Sequence, residues 1–172
     1  MLLKEVKFIK HTANFSNFIK EFENYKEFFK KNIVPFNDKI LDLYKRYNIL
    51  TSTTFKKYTY LSTYQYNRLK KPNHKPALST LVSVVYGLQQ DISILHILCE
   101  SLDVKINYRD DTVCAYAFII ERYRGYDIIE ANKLLTILGV NRKDLLGSPE
   151  ARKIALEELA VDMPHVFDSI KK

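Results

Sequence analysis

The chain contains 172 residues and carries a formal net charge of +7; 47% of its residues are hydrophobic and only 4 are glycine. This length suits one compact domain or a small domain with an appendage, and apolar residues that recur at helical rather than alternating spacing predict an all-α protein. No apolar run approaches the length of a membrane span, and the charged N-terminus lacks the apolar stretch of a signal peptide, so we expect a cytoplasmic protein with no membrane partner.

Residues 1–34 form the first predicted region, an N-terminal amphipathic helix. Its aromatic residues follow one another at steps of three or four and are Phe15, Phe18, Phe22, Tyr25 and Phe29. We expect this stripe to pack inside the protomer, because soluble monomers rarely expose a contiguous apolar patch. A dimer contact and a helix lying on a membrane surface are the alternatives. Pro35 ends this helix.

The second predicted region, residues 35–104, opens with a helix over residues 36–47. Its apolar side chains are Ile40, Leu41, Leu43 and Tyr44. We expect this helix to support the two shorter helices that come next in the chain.

Two short helices joined by a tight turn are predicted between residues 52 and 69. Ser52 is the expected cap of the first helix and Ser62 that of the second. The expected inward residues are Phe55 and Tyr58 on the first helix and Tyr66 and Leu69 on the second. Only residues 59–61 separate the two helices, which leaves room for a turn and no more. The pattern indicates a helix-turn-helix.

The second short helix is predicted to present hydrogen-bond donors and acceptors suited to base edges in the major groove of DNA. These base-reading residues are Thr63, Tyr64, Gln65, Asn67 and Arg68; Gln65 suits adenine and Arg68 suits guanine. We expect phosphate contacts from the polar and basic residues nearby, which are Ser52, Lys56, Lys57, Lys70, Lys71, Asn73, His74 and Lys75. The alternative is an exposed polar face and a solvated lysine face with no DNA role.

The spacing of residues 50–88 also matches a known motif. Phe55, Leu61, Ser62, Tyr66 and Leu69 keep the anchoring positions, and Lys75-Pro76 followed by Leu78, Leu81, Val82 and Val85 keeps the ending. With these residues the chain resembles the lambda-repressor/Cro-like, or XRE-like, helix-turn-helix family, over about residues 36–103. The resemblance implies a five-helix DNA-binding domain whose second helix of the pair enters the major groove.

Two positions depart from the pattern of that family. Lys56 stands where the family usually has alanine, and Tyr60 stands where it usually has the glycine of the turn. A left-handed backbone conformation is costly for tyrosine. A scaffold reused to bind another protein therefore stays open as an alternative.

The following helices are predicted to complete the five-helix core and then to extend it. A basic loop leads into a helix over residues 77–88, and Asp91 caps the next helix. The third region, residues 105–172, is a C-terminal helical extension. Its helices are predicted over residues 111–122, over residues 126–138 up to Gly139, and from Ser148-Pro149-Glu150 onward. This extension loosely resembles the extra helices of some bacterial repressor-like proteins.

Charge is unevenly distributed along the chain. Residues 1–76 hold 16 Lys and Arg against 6 Asp and Glu, a net +10, whereas residues 77–172 hold 11 against 14, a net −3. A basic half that contains the predicted helix pair is expected when one face of a protein meets phosphates. The alternative is the lysine-rich usage of an AT-biased genome.

Other chemistry has little support in the sequence. Cys99 and Cys114 lie in apolar runs and are predicted to be small buried side chains in a reducing compartment. The four histidines lack ligand spacing, so we expect no metal and no cofactor. Adjacent acids at Asp110-Asp111 and Glu157-Glu158 point apart on a helix and are expected to be solvated, so we expect no enzyme.

Together these patterns predict a sequence-specific DNA-binding transcriptional regulator of prokaryotic or phage type, with double-stranded DNA as its partner. Two further partners stay open: a second copy of the chain in a homodimer, and another protein at the C-terminal helices. The alternative function is an interaction or inhibitor protein, such as a phage anti-defence factor or an antitoxin, that reuses the scaffold and its basic face.

Overall fold

The computed structural model describes residues 19–20, 22–24, 27 and 34–165. The described residues before residue 34 are helical and exposed, and Phe22 is 54% exposed. The expected burial of the aromatic stripe is therefore wrong at Phe22. The other members of the stripe lie outside the described residues; they are Phe15, Phe18, Tyr25 and Phe29.

A separate compact unit begins at Pro35, and it is all-helical in the part of the chain that the structure describes. Its α-helices are α1 (Phe36–Arg46), α2 (Ser52–Thr59), α3 (Thr63–Leu69), α4 (Leu78–Gly87), α5 (Ile92–Glu100), α6 (Asp111–Arg122), α7 (Ile128–Ile137) and α8 (Pro149–Asp162). A 3₁₀ turn, Arg142–Asp144, lies between α7 and α8. The all-α prediction is confirmed for these residues, and none of their helices is long and apolar enough to cross a membrane.

Local cap chemistry decides where most of these helices begin. The side chains of Ser62, Asp91 and Ser148 accept hydrogen bonds from backbone N–H groups in the first turns of α3, α5 and α8, as predicted. The cap of α2 was predicted one residue too late, because Thr51 rather than Ser52 accepts the N–H of Thr54, at 3.2 Å.

The orientation of α2 differs from the prediction. Phe55 and Thr59 point inward, one helical turn apart, whereas Tyr58 is 45% exposed. Close packing explains the small inward residue: a Cβ atom added to Gly87 of α4 would lie 2.4 Å from the carbonyl oxygen of Tyr58 and 2.9 Å from the Cα atom of Thr59. The backbones of α2 and α4 are thus in contact at Tyr58 and Thr59, and Thr59 is fully buried there.

Three aromatic rings hold α1, α2 and α3 together. Tyr44 of α1 stacks on Tyr66 of α3, with 5.1 Å between ring centroids and 12° between ring planes. The ring of Phe55, from α2, lies 5.4 Å from both of them. Such contacts add to the energy of burial, and α1 supports the helix pair as expected.

The hydrophobic core runs without a break from α1 to α8. Buried residues of the predicted extension, such as Tyr116, Leu135 and Ala155, belong to the same apolar cluster as Leu81 of α4. Residues 105–165 therefore pack together with residues 35–104 as one unit. The side chain of Lys133 is largely withdrawn from solvent, and its ammonium group joins α7 to α8 because it pairs with Glu130, Glu158 and Asp162.

The segment Leu145–Ser148, which we name the latch, is fixed by buried polar side chains. The amide nitrogen of Asn132 donates to the carbonyl of Leu146 at 3.1 Å, and its carbonyl oxygen accepts the Leu146 N–H at 2.7 Å. The N–H of Gly147 donates to the hydroxyl oxygen of Ser83 at 2.9 Å. The latch is thereby tied to both α7 and α4.

Replacing Asn132 tests the latch. Asn132→Ala leaves the N–H and C=O of Leu146 buried without their partners, and each unpaired group costs about 1 to 3 kcal/mol. We expect the free energy of unfolding, measured by urea denaturation, to fall accordingly. The control is Asn141→Ala, an exposed residue whose side chain makes no cap hydrogen bond, which should leave stability nearly unchanged. Equal stability of the two variants would contradict this role of Asn132.

Candidate nucleic-acid interface

The turn between α2 and α3 has a left-handed residue where the resemblance places glycine. Tyr60 adopts φ 55° and ψ 15°, a conformation that costs a non-glycine residue about 1 to 3 kcal/mol. The hydroxyl of Thr59 supports the turn, because it donates to the carbonyl of Phe55 at 2.8 Å and accepts the N–H of Leu61 at 3.2 Å. Tyrosine thus provides here the backbone geometry that glycine usually provides.

Contacts from the C-terminal helices fix Tyr60 in this conformation. Its carbonyl accepts the N–H of Ser148 at 2.9 Å, and its hydroxyl donates to the Asp127 carboxylate at 3.3 Å. Burial, followed by the charge of Asp127, raises the pKa of Tyr60, so the hydroxyl stays protonated and able to donate. A Cβ atom added to Gly147 would lie only 3.0 Å from the Cβ atom of Tyr60. Glycine therefore permits the latch to reach the turn.

The outward face of α3 is smaller than the sequence predicted. Thr63, Tyr64 and Asn67 are exposed, and Tyr64 reaches 63% exposure. Gln65 and Arg68, which were also expected to point outward, are half-buried. The carbonyl oxygen of Gln65 is withdrawn from solvent and has no hydrogen-bond partner among the described residues. In this position the carbonyl oxygen is not available as the acceptor that recognition of adenine requires.

Arg68 lies along α3 instead of projecting from it. Its guanidinium group donates to the hydroxyl of Tyr64 at 3.0 Å and lies 5.2 Å from the centroid of the Tyr64 ring. The two residues are one turn apart, so this contact combines a hydrogen bond with a cation–π interaction. The positive charge of Arg68 is thus held against the exposed ring of Tyr64.

Basic and polar residues surround the exposed face of α3. Of those expected to contact phosphates, the exposed ones are Lys56, Lys57, Lys71, Asn73 and Lys75. Two others are half-buried: Ser52, and Lys70, whose ammonium group lies 3.9 Å from the centroid of the Tyr66 ring. Exposed ammonium groups therefore lie both in α2 and in the loop that follows α3.

The eighth expected phosphate contact, His74, is buried. It is only 9% exposed, and neither ring nitrogen has a hydrogen-bond partner among the described residues. Burial, and then the positive charges of Arg68 and Lys71, lower the pKa of His74. These residues line one open pocket at the C-terminal end of α3, together with Tyr64, Pro72 and Asn73.

The reactive side chains outside the helix pair include two cysteines. Cys99 is buried, as predicted, and burial raises the pKa of its thiol to about 11. The predicted burial of Cys114 is wrong: its side chain is exposed on α6, because Ala115 and Tyr116 face the core instead. Among the described residues, no group of His, Cys, Asp and Glu is arranged to hold a metal ion.

Two parts of this interface have no signal in the local sequence. The contact between Tyr60 and Ser148 joins residues far apart in the chain, and so does the groove that Lys56 and Lys57 line together with Glu150 of α8. The sequence showed Ser148 and Glu150 only as the start of a helix. Their position beside α2 depends on tertiary packing.

Comparisons with known proteins returned no match. No family model matches the chain. No curated protein matches it, and no solved structure matches it either.

The environment of His74 gives the protein a pH-dependent stability. Because the folded state lowers the pKa of His74, the unfolded state binds more protons below the ordinary pKa of histidine, about 6.5. Stability contributed by neutral His74 is therefore lost as the pH falls from about 6.5 toward that lowered pKa. We expect urea unfolding to show a smaller loss of stability between about pH 7 and pH 5 in His74→Gln than in the parent. Parallel pH profiles would contradict the buried position of His74.

Proposed function

We propose that the protein is a sequence-specific DNA-binding regulator of prokaryotic or phage type, and that α3 reads the major groove. The observation that carries this proposal is the pairing of α2 and α3 through a left-handed turn at Tyr60, with an exposed polar face on α3. A short helix supported in this way by a preceding helix has the form of a recognition helix.

The electrostatics of this part of the chain support the same function. Residues 35–76 hold 9 Lys and Arg against 2 Asp and Glu, a net +7, and exposed lysines lie on α2 and in the loop after α3. Lysines placed around a recognition helix neutralise phosphates and release counterions, which makes affinity fall steeply with salt. Phosphate contacts of this kind position a protein on the duplex but do not read its sequence.

Base reading is assigned to the residues of α3 that are exposed. These are Thr63, Tyr64 and Asn67. An asparagine side chain can donate to and accept from adenine in the major groove at the same time. Asn67 is therefore the residue of the three with the most specific base preference. Gln65 contributes little, because its carbonyl oxygen is withdrawn from solvent.

A second function is favoured by the groove beside α2. Lys56, Lys57 and Tyr60 line it together with Glu150, Ala151 and Ile154 of α8. An acidic residue next to the lysines of α2 weakens the attraction of this edge for phosphates. A scaffold that binds a protein through its basic face, as an inhibitor or antitoxin would, is therefore the alternative function.

Selection of binding sites from randomised duplex DNA distinguishes the two functions. A regulator returns one sequence motif, whereas a protein-binding scaffold returns none. With the selected site in hand, we expect Asn67→Ala to weaken specific binding by about 1 to 3 kcal/mol, with far less change on random duplex. The controls are Gln65→Ala and Asn141→Ala, which should both bind the selected site like the parent. Equal losses for Asn67→Ala on both duplexes would rule out base reading by Asn67.

Salt dependence tests the phosphate contacts. Lys57, in α2, and Lys75, in the loop after α3, are exposed. Each contact removed should lower the magnitude of the slope of log affinity against log salt by about 0.9. We expect the double variant Lys57→Ala, Lys75→Ala to reduce the slope in electrophoretic shift or anisotropy titrations. The matched control is Lys105→Ala, Lys143→Ala, which removes the same charge from the exposed surface outside the helix pair. An identical slope in both double variants would contradict this contact map.

A further inference from the structure

The pocket at the C-terminal end of α3, which we name the His74 pocket, combines two cations with a buried imidazole. It is lined by Tyr64, Arg68, Lys71, Pro72, Asn73 and His74, with no acidic side chain among these residues. Arg68 faces it from α3 and Lys71 from the loop that follows; they are the charged groups that act on His74. Positive charge without a counter-charge favours an anion in the pocket.

The imidazole of His74 has no hydrogen-bond partner among the described residues, which supports the presence of a ligand. Both ring nitrogens of His74 are buried, and neither bonds to a described residue. A buried polar group without a partner is destabilising, and native proteins retain few of them. A partner for these nitrogens must accept at least one hydrogen bond, because a neutral imidazole carries one N–H and a protonated imidazole carries two.

We propose that the His74 pocket binds one phosphate group and that His74 takes up a proton when the phosphate binds. This deepens the proposed function, since a phosphate of the DNA backbone is one source of the ligand. A terminal phosphate on a small molecule is the other source. Both present the same negatively charged oxygens, which accept hydrogen bonds from a guanidinium, an ammonium and an imidazolium.

Protonation of His74 and binding of phosphate are coupled through the balance of charge in the pocket. In the unoccupied pocket, protonation would place a third positive charge beside Arg68 and Lys71 and would bury it, so His74 stays neutral. A bound phosphate supplies the missing negative charge and stabilises the imidazolium. The Tyr64 hydroxyl accepts a hydrogen bond from Arg68, so its own proton is available to a phosphate oxygen. By linkage, affinity rises as the pH falls.

Nuclear magnetic resonance of the full chain tests the proposal with two probes. Dimethyl phosphate represents the diester of a nucleic-acid backbone, and inorganic phosphate represents a terminal phosphate. We expect the imidazole resonances of His74 to report a higher pKa when a probe is bound. A rise of one pKa unit corresponds to an affinity about tenfold higher at low pH than at high pH. The resonances of His96, which is hydrogen-bonded to Tyr108, serve as the internal reference.

Matched variants isolate the role of His74. His74→Gln keeps a polar side chain but cannot titrate, so the pH dependence of probe affinity should be lost relative to the parent. Because inorganic phosphate titrates in the same way with the parent and with the variant, the difference between their pH profiles reports on His74 alone. His96→Gln should retain the pH dependence of the parent. Thermal unfolding followed by circular dichroism verifies that both variants are folded.

Arg68→Gln provides a second test, because it leaves His74 in place. We expect this variant to bind the probes with lower affinity at every pH.

Each outcome is decisive. Binding of dimethyl phosphate with proton uptake supports the pocket and identifies a diester as its ligand, whereas binding of inorganic phosphate alone supports the pocket and identifies a terminal phosphate. Failure of both probes to bind, or binding that leaves the pKa of His74 unchanged, overturns the proposal. Failure of the proposed function is recognised separately: the probes bind with proton uptake, but selection from duplex DNA returns no motif.

Discussion

The left-handed turn at Tyr60 is the constraint on which the helix pair depends. A tyrosine in this conformation is unfavourable by about 1 to 3 kcal/mol, and it persists only where its surroundings over-determine it. Here the hydrogen bond from Ser148 to the carbonyl of Tyr60 and that from the Tyr60 hydroxyl to Asp127 provide the compensation. The latch carries Ser148, and Asn132 and Ser83 fix the latch. The angle between α2 and α3 is thus maintained by residues from three distant parts of the chain.

This arrangement makes the predicted extension part of the interface. If the C-terminal helices formed an independent domain, changes in their contacts would leave the α2–α3 pair intact. In this protein, a displacement of α7 or α8 would move the latch, and through Ser148 it would remove a partner from the turn. Packed interfaces tend to switch between discrete arrangements rather than deform continuously. Any ligand that binds α7 or α8 more tightly in one arrangement than in another would therefore change the presentation of α3.

Features that depend on residues close together in the chain could be predicted from the sequence, whereas features that depend on distant residues could not. Caps depend on residues two or three positions apart, so the starts of α3, α5 and α8 were visible in the sequence. The start of α2 was ambiguous because Thr51 and Ser52 are both able to cap. The inward position of Tyr58 was predicted from its spacing of three residues from Phe55, whereas the second inward residue in the structure is Thr59, four residues from Phe55. The approach of Gly87 to α2 decided that orientation. The latch and the burial of His74 depend on partners distant in sequence or on the packing of a loop, for which periodicity carries no signal.

The side chains of α3 divide into those proposed to read bases and those proposed to hold a phosphate, a division that the sequence did not show. Thr63 and Tyr64, at its N-terminal end, are exposed, whereas Arg68, near its C-terminal end, is held by Tyr64 beside the buried His74. In the proposed complex, the exposed side chains of Thr63 and Asn67 read bases. Arg68 and His74 hold a phosphate together with the hydroxyl of Tyr64. A phosphate contact fixes the register of a protein on the duplex, and only a fixed register lets one exposed side chain distinguish one base from its neighbours. Because the phosphate contact takes up a proton, affinity would depend on pH while the preferred sequence would not. Specificity and affinity would then be adjustable independently within a helix of two turns.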